Sequence, residues 1–170
     1  VGRSLVHADE AGSLRIRGDN TEDSLLYEGK VIYDVRFRAI LPKSGEIVEM
    51  LINIEAQNDF YPGYPLVKRA LYYCCRMISS QYGTEFGKGH YEGIKKVYSI
   101  WICMNPPRAR ESSIVRYEIK EKDIVGQANE KKENYDLLAA IMVCLGKDTG
   151  KQEENDTEEQ RLLRMLQVLF

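Results

Sequence analysis

Two neighbouring stretches decide the fold: Lys30–Leu41 (KVIYDVRFRAIL) and Glu46–Gln57 (EIVEMLINIEAQ). In the first, apolar and aromatic residues alternate with a mixed set, which is the period-two pattern of a β-strand. The later half of the second is apolar enough for a central strand that is covered on both faces. Pro42–Gly45 (PKSG) lies between them and predicts a four-residue hairpin loop. The two stretches therefore predict an antiparallel hairpin.

The remaining elements are weaker but regular. Residues 1–27 are mixed and predict an irregular segment with room for one short strand. Apolar periodicity predicts helices over 66–81, 135–145 and 157–170, and further strands over 96–104 and 114–120. This order predicts an α/β (α+β) fold with a mixed central sheet flanked by helices. The chain divides into a domain over 1–146, a charged linker over 147–156 and a C-terminal amphipathic helix over 157–170.

Composition limits the class of protein. The chain has 170 residues, a net charge of −2 and 44% hydrophobic residues, which suit one globular domain and exclude a mainly disordered chain. The mild acidity excludes a strongly basic nucleic-acid coat, but a nuclease with a local basic groove and a bound divalent metal remains compatible. No apolar run reaches the ~18 residues of a membrane span.

The cysteines show no metal-binding pattern. None belongs to a C-x-x-C pair and none has a histidine at ligand spacing, so a zinc site is not expected. Each lies in an apolar stretch, which predicts buried, reduced thiols in a cytoplasmic protein. The four residues are Cys74, Cys75, Cys103 and Cys144.

Two carboxylates fall on one face of the predicted hairpin. A four-residue loop sets a register in which Asp34 lies opposite Asn53 and diagonal to Glu55, with Cα atoms about 7–8 Å apart. Carboxylates at that separation can share one divalent cation, and Mg²⁺ suits them because it takes one or two carboxylates together with water and phosphate oxygens. The same register puts Lys30 opposite Gln57, where a lysine can orient a water and stabilise negative charge.

Four segments in this order carry a resemblance to a known family: EGKVIYDVRF (28–37), INIEAQND (52–59), KRALYYCCRMISSQY (68–82) and KKVYSIWICMNPP (95–107). Asp34 together with Glu55-Ala56-Gln57 resembles the D…E-x-Q variant of the PD-(D/E)XK nuclease motif. The chain resembles the PD-(D/E)XK nuclease family transposases, which are relatives of the recombination-promoting nucleases of bacteria. The resemblance covers residues 28–107 most clearly.

The resemblance implies a restriction-endonuclease-like αβββαβ core and metal-assisted hydrolysis of DNA. It implies that Asp34 and Glu55 bind Mg²⁺ or Mn²⁺, with the Ala56 carbonyl as a third ligand. Gln57 stands where the parent motif has a lysine, and because glutamine carries no charge we take Lys30 as the candidate for the displaced lysine. The expected partners are DNA and a second copy of the chain, since cutting both strands at once needs two sites, and no organic cofactor is expected.

Basic and aromatic residues near this motif are candidates for a nucleic-acid contact. Arg69, Tyr73 and Arg76 recur at helical spacing along one flank of the predicted helix, and Arg36 shares the face of Asp34. Arg69 and Tyr73 also match positions of the family's helix. Arg69 and Arg76 also suit a solvated helix face, and Lys30 also suits the end of a strand.

Three functions are compatible with the sequence. The first is an active Mg²⁺-dependent endonuclease of a mobile-element-associated family. The second is a catalytically decayed nuclease fold that binds nucleic acid or self-associates. The third is an unrelated α/β binding module. The first two predict that Asp34 and Glu55 converge, and the third predicts different surroundings for the two carboxylates.

Overall fold

The computed structural model describes residues 15–25, 29–43, 46–146 and 156–169 and has an α+β architecture. Within these residues the elements follow the order β1 (Arg15–Gly18), β2 (Glu22–Leu25), β3 (Gly29–Ile32), β4 (Val35–Lys43), β5 (Glu46–Gln57), α1 (Leu66–Ser79), β6 (Val97–Cys103), β7 (Ser113–Glu118), α2 (Lys132–Tyr135), β8 (Leu138–Cys144) and α3 (Glu158–Leu169). The predicted mixed sheet with flanking helices is confirmed.

A mixed six-stranded sheet forms the centre of the described structure, in the order β1-β4-β5-β6-β8-β7. β1, β4 and β5 are antiparallel neighbours, β5, β6 and β8 are parallel, and β7 is an antiparallel edge strand. β2 and β3 form a separate antiparallel pair. If the separate β2–β3 pair is set aside, the order is that of the expected αβββαβ core after its first helix: three antiparallel strands, a helix and a parallel strand. These elements are β1, β4, β5, α1 and β6. The first helix of that core would precede residue 15, outside the described residues.

Helices cover the sheet on both faces. α1 lies on one face because its apolar residues recur at helical spacing, and Ala70, Cys74 and Met77 are fully buried in a core shared with β6 and β8. α3 packs on the other face through Leu163 and Leu166. Burial of an apolar side chain of leucine size stabilises the folded state by about 1.5–3 kcal/mol, so the packing of α1 and α3 on the two faces stabilises the sheet.

The C-terminal helix is confirmed, and Thr157 is its N-cap residue. Thr157 Oγ1 accepts a hydrogen bond from the Gln160 N–H at 3.3 Å, and the Thr157 N–H donates to Gln160 Oε1 at 2.8 Å. This reciprocal pair is a capping box, which satisfies two of the N–H groups that a helix start leaves without partners. The predicted charged linker covers residues 147–156. Of these, residues 147–155 lie outside the described residues and Asp156 lies within them.

The predicted helix over 135–145 is wrong. Residues Leu138–Cys144 (LAAIMVC) form β8, which lies between β6 and β7, and only the short α2 precedes it. A continuous apolar run fits a buried helix and a doubly covered strand equally well, so periodicity alone does not separate the two. This segment forms a strand and not a helix because β6 and β7 hydrogen-bond to its backbone from both sides.

The predicted strand over 30–41 is divided in two. β3 ends at Ile32 and β4 begins at Val35, and between them the Tyr33 N–H donates to the Thr21 carbonyl at 2.9 Å. The Tyr33 ring is buried in the core. The first half of the predicted strand therefore pairs with β2 and leaves the main sheet.

The predicted hairpin register is shifted by two residues. β4 continues to Lys43, which pairs with Glu46, whereas the expected four-residue loop would pair Leu41 with Glu46. Arg36, not Asp34, therefore lies opposite Asn53. Since the shift is an even number of residues, the side chains of residues 35–40 keep their predicted faces.

The N-terminal part holds more regular structure than expected, because both β1 and β2 precede residue 27. Three of the four cysteines are buried as predicted, but Cys75 is exposed because it points away from the α1 core. Trp101 is fully buried in the core. In the described residues, no helix has both the length and the apolar character needed to cross a lipid bilayer.

Candidate metal and nucleic-acid site

The start of β4 and the end of β5 bring two carboxylates together. The Asp34 N–H donates to Glu55 Oε1 at 3.2 Å, and the Ala56 N–H donates to Asp34 Oδ2 at 3.0 Å. Each carboxylate is therefore held by backbone from the segment that carries the other. Asp34 is exposed whereas Glu55 is buried, so the pair runs from solvent into the protein. The two carboxylates therefore converge, whereas an unrelated binding module predicts that they lie apart.

Glu55 is the electrostatically costly member of the pair. The pKa of its carboxyl is raised to about 6, first by burial and then by the negative charge of Asp34. Hydrogen bonds from the Asp34 N–H and from Asn53 Nδ2 at 3.1 Å lower it, as does the charge of Arg69. A bound cation would lower the electrostatic cost of ionising a buried carboxyl that lies beside a second carboxylate.

The backbone of Ala56 faces the same space as Asp34. The backbones of Leu51 and Gln57 bond to the β6 segment, so the odd-numbered residues of β5 direct their N–H and carbonyl groups to that side. Ala56 directs its backbone to the opposite side, where its N–H binds Asp34. Carboxylate and carbonyl oxygens are the ligands that Mg²⁺ and Mn²⁺ prefer. The donor set therefore fits the implied metal.

Lys30 and Gln57 are not brought together. Gln57 Nε2 donates to the Asp59 carbonyl at 2.5 Å, at the start of the loop after β5. Lys30 lies in β3 opposite Ser24, and its Nζ pairs with Glu22 at 2.7 Å. The predicted pairing of Lys30 with Gln57 is wrong, because the chain crosses from β3 into the main sheet only after residue 32.

Three of the four predicted nucleic-acid residues are buried: Arg36, Tyr73 and Arg76. Arg76 is 1% exposed, and its Nε pairs with Asp23 at 3.0 Å. Arg36 is 8% exposed, and its Nη2 donates to Ser80 Oγ at 3.0 Å. Both guanidinium groups connect α1 to strands on the N-terminal side of the chain. These placements favour structural roles. Arg76 binds the β2–β3 pair, which the sequence did not predict, and Arg36 donates to the Asn20 carbonyl and to Ser80.

Arg69 and Tyr73 do lie beside the carboxylates. Arg69 donates to Tyr73 Oη from Nε at 3.0 Å and from Nη2 at 2.6 Å, and from Nη1 to Tyr64 Oη at 2.9 Å. Its guanidinium carbon lies 5.1 Å from the centre of the Trp101 ring, and Trp101 pairs with Glu55 across β5 and β6. Tyr73 itself is buried, so Arg69 is the member of this group that brings charge towards the site.

Sequence reasoning did not assign two residues of this cluster. Asn53 is fully buried, and its Nδ2 binds Glu55, whereas its Oδ1 has no hydrogen-bond partner among the residues that the structure describes. A single amide in the apolar run Leu51–Ile54 was the available signal, because an uncompensated buried amide is costly. Tyr64, which fixes Arg69 from the loop after β5, left no comparable signal in the sequence.

Within the described part of the chain, no three His, Cys, Asp or Glu side chains gather into a metal cluster. A cation at Asp34 and Glu55 would therefore complete its shell with backbone, amide or solvent oxygens. No family model matches the sequence, and no similar curated protein or solved structure was found. The family resemblance therefore rests on the four sequence segments and enters the following proposal on that basis.

Proposed function

We propose that this chain is a Mg²⁺-dependent endonuclease that hydrolyses DNA phosphodiester bonds. The observation that carries the proposal is the reciprocal hydrogen bonding of Asp34 and Glu55 at 3.2 and 3.0 Å through the backbone of Asp34 and Ala56. Ordinary polar residues on a solvated strand face would diverge into water. Instead, an exposed and a buried carboxylate lie together, with the Ala56 backbone directed to the same side.

Mg²⁺ or Mn²⁺ at these oxygens would supply charge stabilisation of the phosphodiester and a nucleophile at neutral pH. Asn53 holds Glu55 in one orientation, so the buried ligand is preorganised. Arg69 carries positive charge towards the site, and its bonds to Tyr64 and Tyr73 fix the guanidinium. Positive charge there favours the anionic transition state of phosphodiester hydrolysis.

The resemblance to the PD-(D/E)XK nuclease family transposases supports a mobile-element context for this activity, in transposition or recombination. DNA is then the substrate, and a homodimer is the expected assembly because two sites are needed to cut both strands together. Gln57 can hydrogen-bond a water or a phosphate oxygen but supplies no charge.

A catalytically decayed nuclease fold that binds nucleic acid or self-associates is the second candidate. The ion pair of Lys30 with Glu22, away from the carboxylates, favours it, as does the bond from Gln57 to the Asp59 carbonyl. Neither residue then supplies the lysine charge of the parent motif. This candidate retains the carboxylate geometry without hydrolysis.

Nicking of supercoiled plasmid in Mg²⁺ or Mn²⁺ separates the two candidates. We expect the wild-type chain to nick the plasmid, and we expect Asp34→Asn and Glu55→Gln each to abolish nicking, because each substitution removes one anionic ligand. Glu92→Gln is the matched control, since Glu92 is an exposed glutamate on a surface turn. Chelation with EDTA stops the reaction in every active sample.

Two results would reject the endonuclease. Nicking that survives in both carboxylate variants would point to another site or a contaminant. Absence of nicking by the wild-type chain, together with retained DNA binding, would support the decayed fold.

A further inference from the structure

The loop between β5 and α1 presents aromatic side chains at the sheet edge that carries the carboxylates. Tyr61 is 70% exposed and Tyr64 is 43% exposed, although both are large apolar rings. Phe60 packs against the core and meets the Tyr61 ring edge-to-face, with centroids 5.1 Å apart. An exposed ring supported by a second, partly buried ring is a surface on which a planar ligand can stack.

This loop is fixed in place. The Tyr61 N–H donates to Asp59 Oδ1 at 2.9 Å, which holds the chain in a turn, and Asn105 Nδ2 binds Asn58 Oδ1 across the ends of β5 and β6. Arg110 lies over the Phe60 ring with its guanidinium carbon 5.7 Å from the centroid. The aromatic surface is therefore ordered before any ligand arrives, which lowers the entropic cost of binding.

The loop connects to the carboxylates in two ways. It begins directly after Gln57, and its Tyr64 accepts a hydrogen bond from Arg69, which lies over Trp101, the cross-strand neighbour of Glu55. β5 and β6 are parallel and pair Gln57 with Cys103, so the loops that follow the two strands share one edge. The second loop brings the exposed residues Arg108 and Arg110 to that edge. A nucleic-acid strand bound there would have its bases near Tyr61 and its backbone within reach of the site.

Charge decides between duplex and single strand. Residues 58–65 and 104–112 contain two arginines, one aspartate and one glutamate, so the edge has little net charge for a phosphate backbone. Duplex binding depends mainly on phosphate contacts by cations, whereas single strands also bind by stacking of exposed bases on aromatic rings. Bases inside a duplex are already stacked and do not offer a face to Tyr61.

We infer that the substrate strand of the carboxylate site is single-stranded or locally opened nucleic acid, with one base stacked on Tyr61 beside Phe60. The inference rests on the proposed function for the role of the neighbouring carboxylates, but the stacking surface is a separate observation. Tyr61 acts here as a binding residue, and Arg110 positions the supporting ring.

Fluorescence anisotropy in EDTA tests this without hydrolysis, using a fluorescein-labelled oligothymidylate of about twelve nucleotides and the matching duplex. We expect the single strand to bind more tightly than the duplex and with weak salt dependence. Tyr61→Ala weakens binding by about 5- to 150-fold, the range for loss of one base stack, while Tyr61→Phe retains it.

Tyr82→Ala is the matched control. Tyr82 is 67% exposed and meets Phe86 edge-to-face at 5.6 Å, but it lies beyond the other end of α1, about 20 Å away along the 14-residue helix. Equal losses in Tyr61→Ala and Tyr82→Ala would overturn the inference, as would tighter binding of the duplex or no binding of the single strand. Tyr61-dependent binding without plasmid nicking would sustain the inference while the proposed hydrolysis fails.

Discussion

Glu55 is the residue at which stability and function conflict. It is 4% exposed, and its ionised form has Asp34 as a neighbouring negative charge. Asn53 and the Asp34 N–H compensate only part of the desolvation, since the pKa of Glu55 still lies at about 6. A purely structural position would be occupied more favourably by a neutral amide, so a carboxylate at this position is consistent with a cation ligand.

Replacement of Glu55 by glutamine is expected to stabilise the metal-free protein at neutral and alkaline pH. The folded-state pKa of Glu55, about 6, lies above its unfolded-state value of 4.5. The free energy of unfolding of the wild-type chain therefore falls by about 2 kcal/mol as the pH rises through this interval. Glu55→Gln does not titrate and avoids that loss. Urea unfolding in EDTA at about pH 8 and about pH 4 measures the difference, which should vanish at the lower pH.

The surface variant Glu92→Gln serves as the control and is expected to change stability by less than about 0.5 kcal/mol at either pH. A Glu55→Gln variant that is less stable than wild type at pH 8 would mean that ionised Glu55 is well solvated or paired, contrary to the burial described here.

At the scale of elements, Arg76 and Asp23 connect α1 to the β2–β3 pair. Arg76 Nε pairs with Asp23 Oδ2 at 3.0 Å, and Arg76 Nη2 donates to the Asp23 and Gly29 carbonyls at 3.1 and 3.2 Å. Breaking a buried ion pair by removal of one partner leaves an uncompensated charge. The cluster therefore holds the small two-stranded sheet onto the helix.

Arg76→Ala is expected to lower the free energy of unfolding by about 3–5 kcal/mol, and Arg76→Met combined with Asp23→Leu is expected to recover much of the loss. Urea unfolding of the two variants against wild type measures both effects. A fully stable Arg76→Ala variant with weakened DNA binding would instead restore the nucleic-acid role that the helical spacing first predicted for Arg76.

The sequence was most informative where one pattern had one structural solution. β5, α1, β6, β7 and α3 follow their predicted ranges within a few residues, because alternation or helical spacing of apolar residues was clear. β8 was missed because an apolar run with no polar face has no period to distinguish strand from helix. The hairpin register failed because Pro42 was expected to end the strand, whereas β4 continues through it.

The candidate site was predictable in part for a physical reason. Asp34 lies in the break between β3 and β4, directly before β4, and backbone hydrogen bonds at Asp34 and Ala56 hold the two carboxylates together although the register is shifted by two residues. The position of Lys30 depended on an unbroken strand, and the break at residues 33–34 removed it from the main sheet. Burial of Arg36 and Arg76 depended on contacts between distant segments, which local patterns do not contain.

At the scale of the whole molecule, the sheet collects the chemistry at one edge. β5, β6 and β8 are parallel, so their carboxyl ends lie on the same side. Glu55 and Gln57 end β5, and the aromatic loop of residues 58–65 and the arginines of residues 104–112 follow the first two of these strands. Loops at the carboxyl ends of parallel strands commonly form ligand sites, because the rigid sheet below them fixes their positions.

Calorimetric titration of Mn²⁺ into the metal-free wild-type chain and into Asp34→Asn and Glu55→Gln tests the central claim most directly. We predict one ion per wild-type chain, bound by the two carboxylates and released by acidification below the Glu55 pKa of about 6, and loss of this binding in both variants. Absence of stoichiometric binding to the wild-type chain, or binding that persists unchanged in both variants, would contradict a metal site at Asp34 and Glu55.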